Sequence, residues 1–481
     1  MSQAIDHVAL LPGYLVAATA VTVLLADLFL GRRGVTIGVA AVGFTATGTA
    51  AGWLATQPAR QTFCTVDGCS YVTGVPGAVI AVTLCGLALA VLALSTGLLR
   101  GTGEYRAPTG EYVFLLSCSL AGGVILAYAR DLITLVVALE TLTLPLYVLV
   151  AMRGESRRSA EAAVNFLLVS VAASTVTLFG AAMLYAATGA VHLTALAAAL
   201  SGAIPTVAAV GAAMVLAGLA FKLAAVPLHG WAPGTYDGAP LPIAAYLSTA
   251  SKLGGVAALL WVVTEAFSPI VNLVGPILLV LAVATMTIGN LVALRQRRTV
   301  RLLAWSSIAQ AGYLLVPLGG YAVVAADITS AATAVLVFAL FYVVMELAAF
   351  AAVIRLRGAD RDGGSVDDLA GSLRSAPVPS IALLLAVAAL AGLPPGLAGL
   401  FAKVTVISAV ADLLPWLAVV VAINAVIGLV YYLRFGAVVV RAGSPARPTT
   451  AWPTTVVLTV VTGVLVLVGL APQLLWDLAA F

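Results

Sequence analysis

Every lysine in this 481-residue chain lies inside a long apolar run: Lys222 in AGLAFKLAAVPLHG, Lys252 in YLSTASKLGGVAALL and Lys403 in GLFAKVTVI. Arginine keeps its proton in essentially any protein environment, whereas a buried lysine can release one. An ionisable group in an apolar span is costly and marks an ion or proton path. One such lysine could simply pair structurally; three, with none elsewhere, argue for a path. Acids accompany them. Glu140 sits within LVVALETLTLPLYVL, Glu346 within FYVVMELAAF, and Asp27 near the end of the first run. Glu140 and Lys222 have opposite signs, so their separation would set how firmly the lysine holds its proton. Glu346 reads either as an added carboxylate or as a structural hydrogen-bonding group. His229, two residues after Pro227, reads either as a proton relay toward solvent or as an interfacial histidine.

The elements that position these groups follow from composition. The chain is 62% hydrophobic and only 9% charged, where soluble domains carry about 25% charged residues. Mean hydropathy is +1.13. These values exclude a soluble enzyme, a nucleic-acid binder and a disordered chain. Twenty-three basic against 19 acidic residues, a net charge of +4, make no phosphate-binding surface. Four cysteines and three histidines show no metal-ligand spacing. The opening MSQAIDH lacks Lys and Arg, so the first run is expected to be a span and not a cleaved signal.

A bilayer needs about 20 apolar residues per helix. Fourteen runs qualify: 8–29, 34–54, 76–99, 111–129, 132–152, 161–187, 205–226, 241–264, 270–293, 302–319, 329–354, 378–411, 415–437 and 452–476. They are long, Leu/Ala/Val-rich and unbroken, unlike the short alternating segments of a membrane barrel. A short interfacial helix fits within 187–205. The fold class is therefore all-α and polytopic.

With the N-terminus outside, eighteen arginines fall in inside loops, among them Arg106, Arg153, Arg158, Arg298, Arg357 and Arg447, and only Arg60 and Arg130 fall outside. That is the bias of cytoplasmic loops, and it puts both termini outside. Cys64 and Cys69 then share an outside loop, where either a disulfide or two free thiols would be compatible with an oxidising compartment.

Two spans are interrupted by proline. Pro227 follows Lys222 by five residues, and Pro394 and Pro395 precede Lys403 by nine and eight. Proline breaks a helix, and such breaks persist in membranes only when buried in protein or lining a hydrated cavity. A lysine beside a break in each half is the pattern of inverted-repeat transporters. The broken spans are the seventh and twelfth. Five is odd, so equivalent helices run in opposite directions, and spans 4–8 and 9–13 become the candidate repeats. The expected organisation is a three-span segment (1–110), a first repeat (111–265), a second, inverted repeat (266–440) and a C-terminal helix (441–481).

Four motifs carry a resemblance: DLITLVVALETLTLPLYVLVAMRGESRRSAEAAVNFLL (131–168), LHGWAPGTYDGAPLPIAAYLSTASKLGG (228–255), RLLAWSSIAQAGYLL (301–315) and GLPPGLAGLFAK (392–403). Together the chain resembles the antiporter-like membrane subunits of bacterial respiratory complex I (NADH–quinone oxidoreductase), and the 131–168 stretch with Lys403 is most similar to subunit N. The resemblance implies fourteen helices in two inverted repeats in the bacterial plasma membrane. It implies other membrane subunits as partners, no cofactor in this chain, and NADH, flavin and iron–sulfur clusters in partner subunits only. Carried onto matching positions, Glu140 is the acid of span 5, Lys222 the central lysine of broken span 7, Lys252 the connecting lysine of span 8, and Lys403 the lysine of broken span 12 facing the outside exit. Gln310 stands where a histidine is frequent in the family, and Glu346 where an asparagine is. The rival readings are a subunit of a multi-subunit cation/proton antiporter, which would carry a similar axis, and a structural membrane scaffold, which would tolerate loss of the lysines.

Overall fold

The computed structural model describes residues 5–100, 107–153, 156–324, 328–443 and 452–479; Arg106 and Arg447 lie outside them. Among the described residues twelve helices are each long and apolar enough to cross a bilayer. They are span 1 (Leu11–Leu30), span 2 (Arg33–Ala55), span 3 (Val75–Leu94), span 4 (Thr109–Leu126), span 5 (Leu132–Ala151), span 6 (Arg157–Thr188), span 8 (Leu241–Ala266), span 9 (Ser268–Ala293), span 10 (Thr299–Tyr321), span 11 (Ile328–Arg357), span 13 (Pro415–Val440) and span 14 (Trp452–Leu470). Shorter apolar helices make up the other two. Span 7 is Thr206–Lys222 followed by Trp231–Gly238, and span 12 is Pro377–Ala391 followed by Leu397–Ala411. All fourteen expected spans are present, and a short helix, Leu193–Leu200, occupies the expected interfacial position.

Local chemistry sets the boundaries. The Asp131 carboxylate accepts the Ile133 and Thr134 N–H groups at 2.9 and 2.8 Å, capping span 5. The first half of span 12 ends at Gly392, whose φ of +78° is left-handed, and Pro394 and Pro395 lack the N–H groups that would extend it. At the break in span 7 the freed backbone groups find new partners. Ala225 N–H donates to the Ala220 carbonyl, Val226 N–H to Thr285 Oγ1 at 2.9 Å, and Trp231 Nε1–H to the Phe221 carbonyl at 3.1 Å. Irregular backbone is thus paired within protein, as a lipid environment requires.

Packing repeats with the period of the spans. Span 4 lies on 5 as 9 lies on 10, and span 6 on 7 as 11 lies on 12. Spans 8, 10 and 11 are almost wholly enclosed and form the centre, while spans 1, 2, 6 and 13 turn most of their surface outward.

One element escaped the helical reading. Gln61–Thr65 and Gly68–Val72 form an antiparallel hairpin with Cys64 opposite Cys69, joined as a disulfide. The Asp67–Gly68 pair is a hairpin-turn signal, hidden in a short polar loop between apolar runs. The hairpin edge pairs with 128–130, with Val72 N–H to the Tyr128 carbonyl at 3.0 Å and Arg130 N–H to the Ser70 carbonyl at 2.8 Å. On the opposite, arginine-rich face an ionic network spans both candidate repeats. Arg298 Nε binds both oxygens of Asp237 at 2.9 and 2.8 Å, its terminal nitrogen reaches Asp362 at 3.1 Å, and Arg153 and Arg357 approach Asp362 at 3.7 and 3.5 Å.

Candidate functional site: a buried lysine axis

Lys222 is the last residue of the first half of span 7, and the break turns the backbone away beneath it. Its Nζ donates to Glu140 Oε1 at 2.8 Å, Thr143 Oγ1 at 3.0 Å and Ser170 Oγ at 3.3 Å. Ser174 Oγ–H donates to the same Glu140 oxygen. Spans 5, 6 and 7 therefore converge on one ion pair, with side chains 8% (Lys222) and 21% (Glu140) exposed. At 2.8 Å and an effective dielectric of about 20 the attraction is roughly 6 kcal/mol, against a desolvation cost of several kcal/mol per ion. The surrounding hydroxyls offset that cost.

Lys252 lies in span 8 just after a π-helical turn, Leu247–Ser251. Such turns shift the hydrogen-bond ladder and cluster at functional sites. Here Ser248 offers its carbonyl to Tyr342 Oη–H at 2.7 Å, and Ser307 Oγ meets the same phenol at 2.8 Å. Lys252 Nζ donates to the Ser307 carbonyl at 2.5 Å and sits 6.0 Å from the Tyr342 ring centre. Glu346 lies one helical turn beyond Tyr342 and is fully buried. Neither Glu346 oxygen has a hydrogen-bond partner among the described residues.

Lys403, in the second half of span 12, donates to the Ala391 carbonyl at the end of the first half and lies 5.9 Å from the Tyr313 ring centre. A helix C-terminus carries partial negative charge, so the break supplies the counter-dipole that an acid supplies at Lys222. Among the described residues neither Lys252 nor Lys403 forms an ion pair.

A polar seam joins the last two lysines. Ser306 Oγ meets Tyr432 Oη, and Gln310 Nε2 donates to both Tyr432 Oη and the Leu390 carbonyl at 3.3 Å, one residue from the acceptor of Lys403. Tyr313, Asn290 and Tyr431 extend it, with Asn290 Nδ2 to Tyr313 Oη at 3.3 Å and Tyr431 Oη to Asn290 Oδ1 at 3.1 Å. Of these, Gln310 was legible as a departure at a frequent histidine position. The tyrosines and asparagine carried no signal of their own. His229 is half-buried, edge-on to Trp305 at 5.2 Å between ring centres, and makes no hydrogen bond to any of the three lysines. The Asp27 carboxylate accepts a 3.4 Å contact from Thr36 Oγ1 and, among the described residues, forms no ion pair.

The geometry corresponds to known proteins. Residues 129–428, which contain all three lysines and both glutamates, match the family described as NADH:quinone oxidoreductase/Mrp antiporter, TM. NADH-quinone oxidoreductase subunit N of Salinispora tropica is 53% identical, over 100% of this chain and 99% of that protein. NADH-quinone oxidoreductase subunit N 2 of Streptomyces griseus is 46% identical, over 94% of this chain and 86% of that protein. In three dimensions a chain of respiratory complex I from Thermus thermophilus superposes with a TM-score of 0.81 at 28% identity, over 98% of this chain and 99% of that one. A chain of the Mrp complex from Dietzia sp. DQ12-45-1b, 22% identical over 99% and 97% of the two chains, shares the fold with a TM-score of 0.86. The chain belongs to the family of NADH-quinone oxidoreductase subunit N, within the antiporter-like membrane proteins.

Proposed function

We propose that this subunit carries protons across the plasma membrane along the axis Glu140–Lys222–Lys252–Glu346–Lys403, within a complex whose other subunits perform the redox chemistry. The observation that carries the reading is the buried Lys222–Glu140 pair with its three hydroxyl partners, continued by two further lysines in the same membrane interior. While Glu140 is charged and near, the proton on Lys222 is held. Moving or neutralising Glu140 removes an attraction of roughly 6 kcal/mol, and the proton passes on. Lys252 and Lys403 are held by carbonyls instead of acids, so each can receive a charge and release it without stranding a counter-ion. The hydrogen bonds of Ser307, Tyr342, Ser306, Tyr432 and Gln310 support conduction between them.

The chain itself supplies no redox cofactor in this reading. NADH, flavin and iron–sulfur clusters belong to partner subunits, quinone chemistry takes place outside this chain, and the driving force arrives through neighbouring membrane subunits. Both termini face outside. The arginine bias supports that orientation, and so does the Cys64–Cys69 disulfide on the face opposite the arginine network. The test is Lys222→Met in the assembled complex, measured as NADH-driven proton uptake into vesicles per NADH oxidised. A sharp loss is expected; an assembled variant that pumps normally overturns the assignment.

A further inference from the structure

We propose that an anionic diacyl phospholipid docks in the groove between spans 2, 3 and 14, its phosphate held by Arg33 and Arg100. A cavity of about 450 Å³ opens there, otherwise almost wholly apolar, with Arg33, Arg100 and Trp452 among the residues that line it. Arg33 opens span 2 and Arg100 closes the short helix Thr96–Arg100 that follows span 3, so both charges stand where helices end. Among the described residues neither arginine forms an ion pair, and the two place positive charge at one end of an apolar cavity. Guanidinium matches phosphate geometry with two parallel donors. Trp452, 67% exposed at the start of span 14, is the aromatic type that settles at headgroup level.

The apolar part has the shape for two tails. Gly34 and Gly38 keep the span 2 wall flat, with open space where side chains would project. A second, almost wholly apolar cavity of about 570 Å³ shares the Leu89 wall and runs along span 14 from Val456 to Val464. The two cavities meet at Leu89, giving one acyl chain a wall on each side of it, and the arginines line the first of them. Basic pockets between membrane helices on the inside face bind anionic headgroups in just this way. A soluble anion would find the charges but gain nothing from the grooves, so the occupant is a lipid. The inference stands apart from the proton path and does not use pumping as its readout.

The experiment places the purified complex in phosphatidylcholine nanodiscs containing a trace of photoreactive phosphatidylglycerol or, separately, photoreactive phosphatidylcholine. Cross-links to peptides of spans 2, 3 and 14 are then counted by mass spectrometry. Two arginines at about fivefold each predict a roughly 25-fold preference for the anionic probe. Arg33→Gln with Arg100→Gln should abolish that preference in a complex that still assembles. Gly38→Leu keeps both charges and fills the groove, and should cut labelling by either probe. Equal labelling by the two probes, unchanged preference in the double variant, or displacement of the probe by millimolar inorganic phosphate overturns the proposal.

Discussion

Lys222→Arg separates a proton carrier from a structural cation more cleanly than removal of the charge does. Arginine keeps the positive charge, and its five donors can serve Glu140, Thr143 and Ser170, the groups that Lys222 now contacts at 2.8, 3.0 and 3.3 Å. If the pair only tethers span 7 to spans 5 and 6, the substitution should be nearly silent. A carrier must also let the proton go. At neutral pH, stripping a proton from arginine costs roughly 3–5 kcal/mol more than stripping it from lysine. The same burial, the same carboxylate and the same hydroxyls act on both cations, so most of that difference carries into the protein. At 1.36 kcal/mol per decade, transfer through position 222 should slow by about two to three decades or more.

The assay is the ratio of protons moved to NADH oxidised by the assembled complex in sealed vesicles, with detergent-extracted complex checked for full subunit content. Lys222→Arg should leave assembly and thermal midpoint close to the parent while coupled pumping through this subunit fails. Lys222→Met should also lose pumping and, in the assembled complex, should lower the thermal midpoint as well, since an uncompensated Glu140 in the same site costs about 3–5 kcal/mol. A Lys222→Arg complex that pumps at the parental ratio would refute the argument, because a cation unable to release its proton would then suffice.

Other outcomes follow from the same geometry. Glu346→Gln removes a fully buried acid with no hydrogen-bond partner among the described residues, so thermal stability should hold or rise as a desolvation cost disappears; proton pumping should fall, and unchanged pumping assigns Glu346 a structural role only. In vesicles with the outside face exposed, an impermeant maleimide should label Cys64 and Cys69 only after reduction, while buried Cys85 stays unmodified; labelling confined to inverted vesicles reverses the topology. Replacing both bridged cysteines by serine should cost the hairpin about 2 kcal/mol for a loop this short, read as earlier proteolysis of 61–72. At Asp362, burial pushes the carboxyl up but Arg298, Arg153 and Arg357 outweigh it and hold it below the ordinary carboxylate range. Its folded-state value is depressed, so its contribution is present above that range and lost as pH falls through it. Asp362→Asn should lower the thermal midpoint at pH 7 and flatten its decline on acidification, which calorimetry of the complex would measure.

What the sequence made legible divides along a physical line. Apolar length and arginine placement act over whole segments, so fourteen spans could be counted from them, including two that are broken and whose halves fall short of crossing length singly. The lysines stood out because a lone charge in an apolar run has no bland explanation at low cost. The groups between the lysines could not be found this way. Tyr342, Tyr432 and Asn290 are ordinary occupants of membrane helices, and their role depends on which face of spans 9, 11 and 13 turns inward, which no single-chain periodicity fixes when helices are apolar all round. The π-turn before Lys252 is invisible for the same reason, since it alters the hydrogen-bond ladder and not the residue types. The two kinds of information meet at Lys403. Sequence places a cation eight residues after Pro395 without any acid to hold it, and the fold answers with the Ala391 carbonyl that the proline break leaves open. The break and the lysine are therefore one device: the interruption that costs the helix its continuity creates the acceptor that lets a membrane lysine be charged without a permanent partner, and a lysine so held is free to give its proton up.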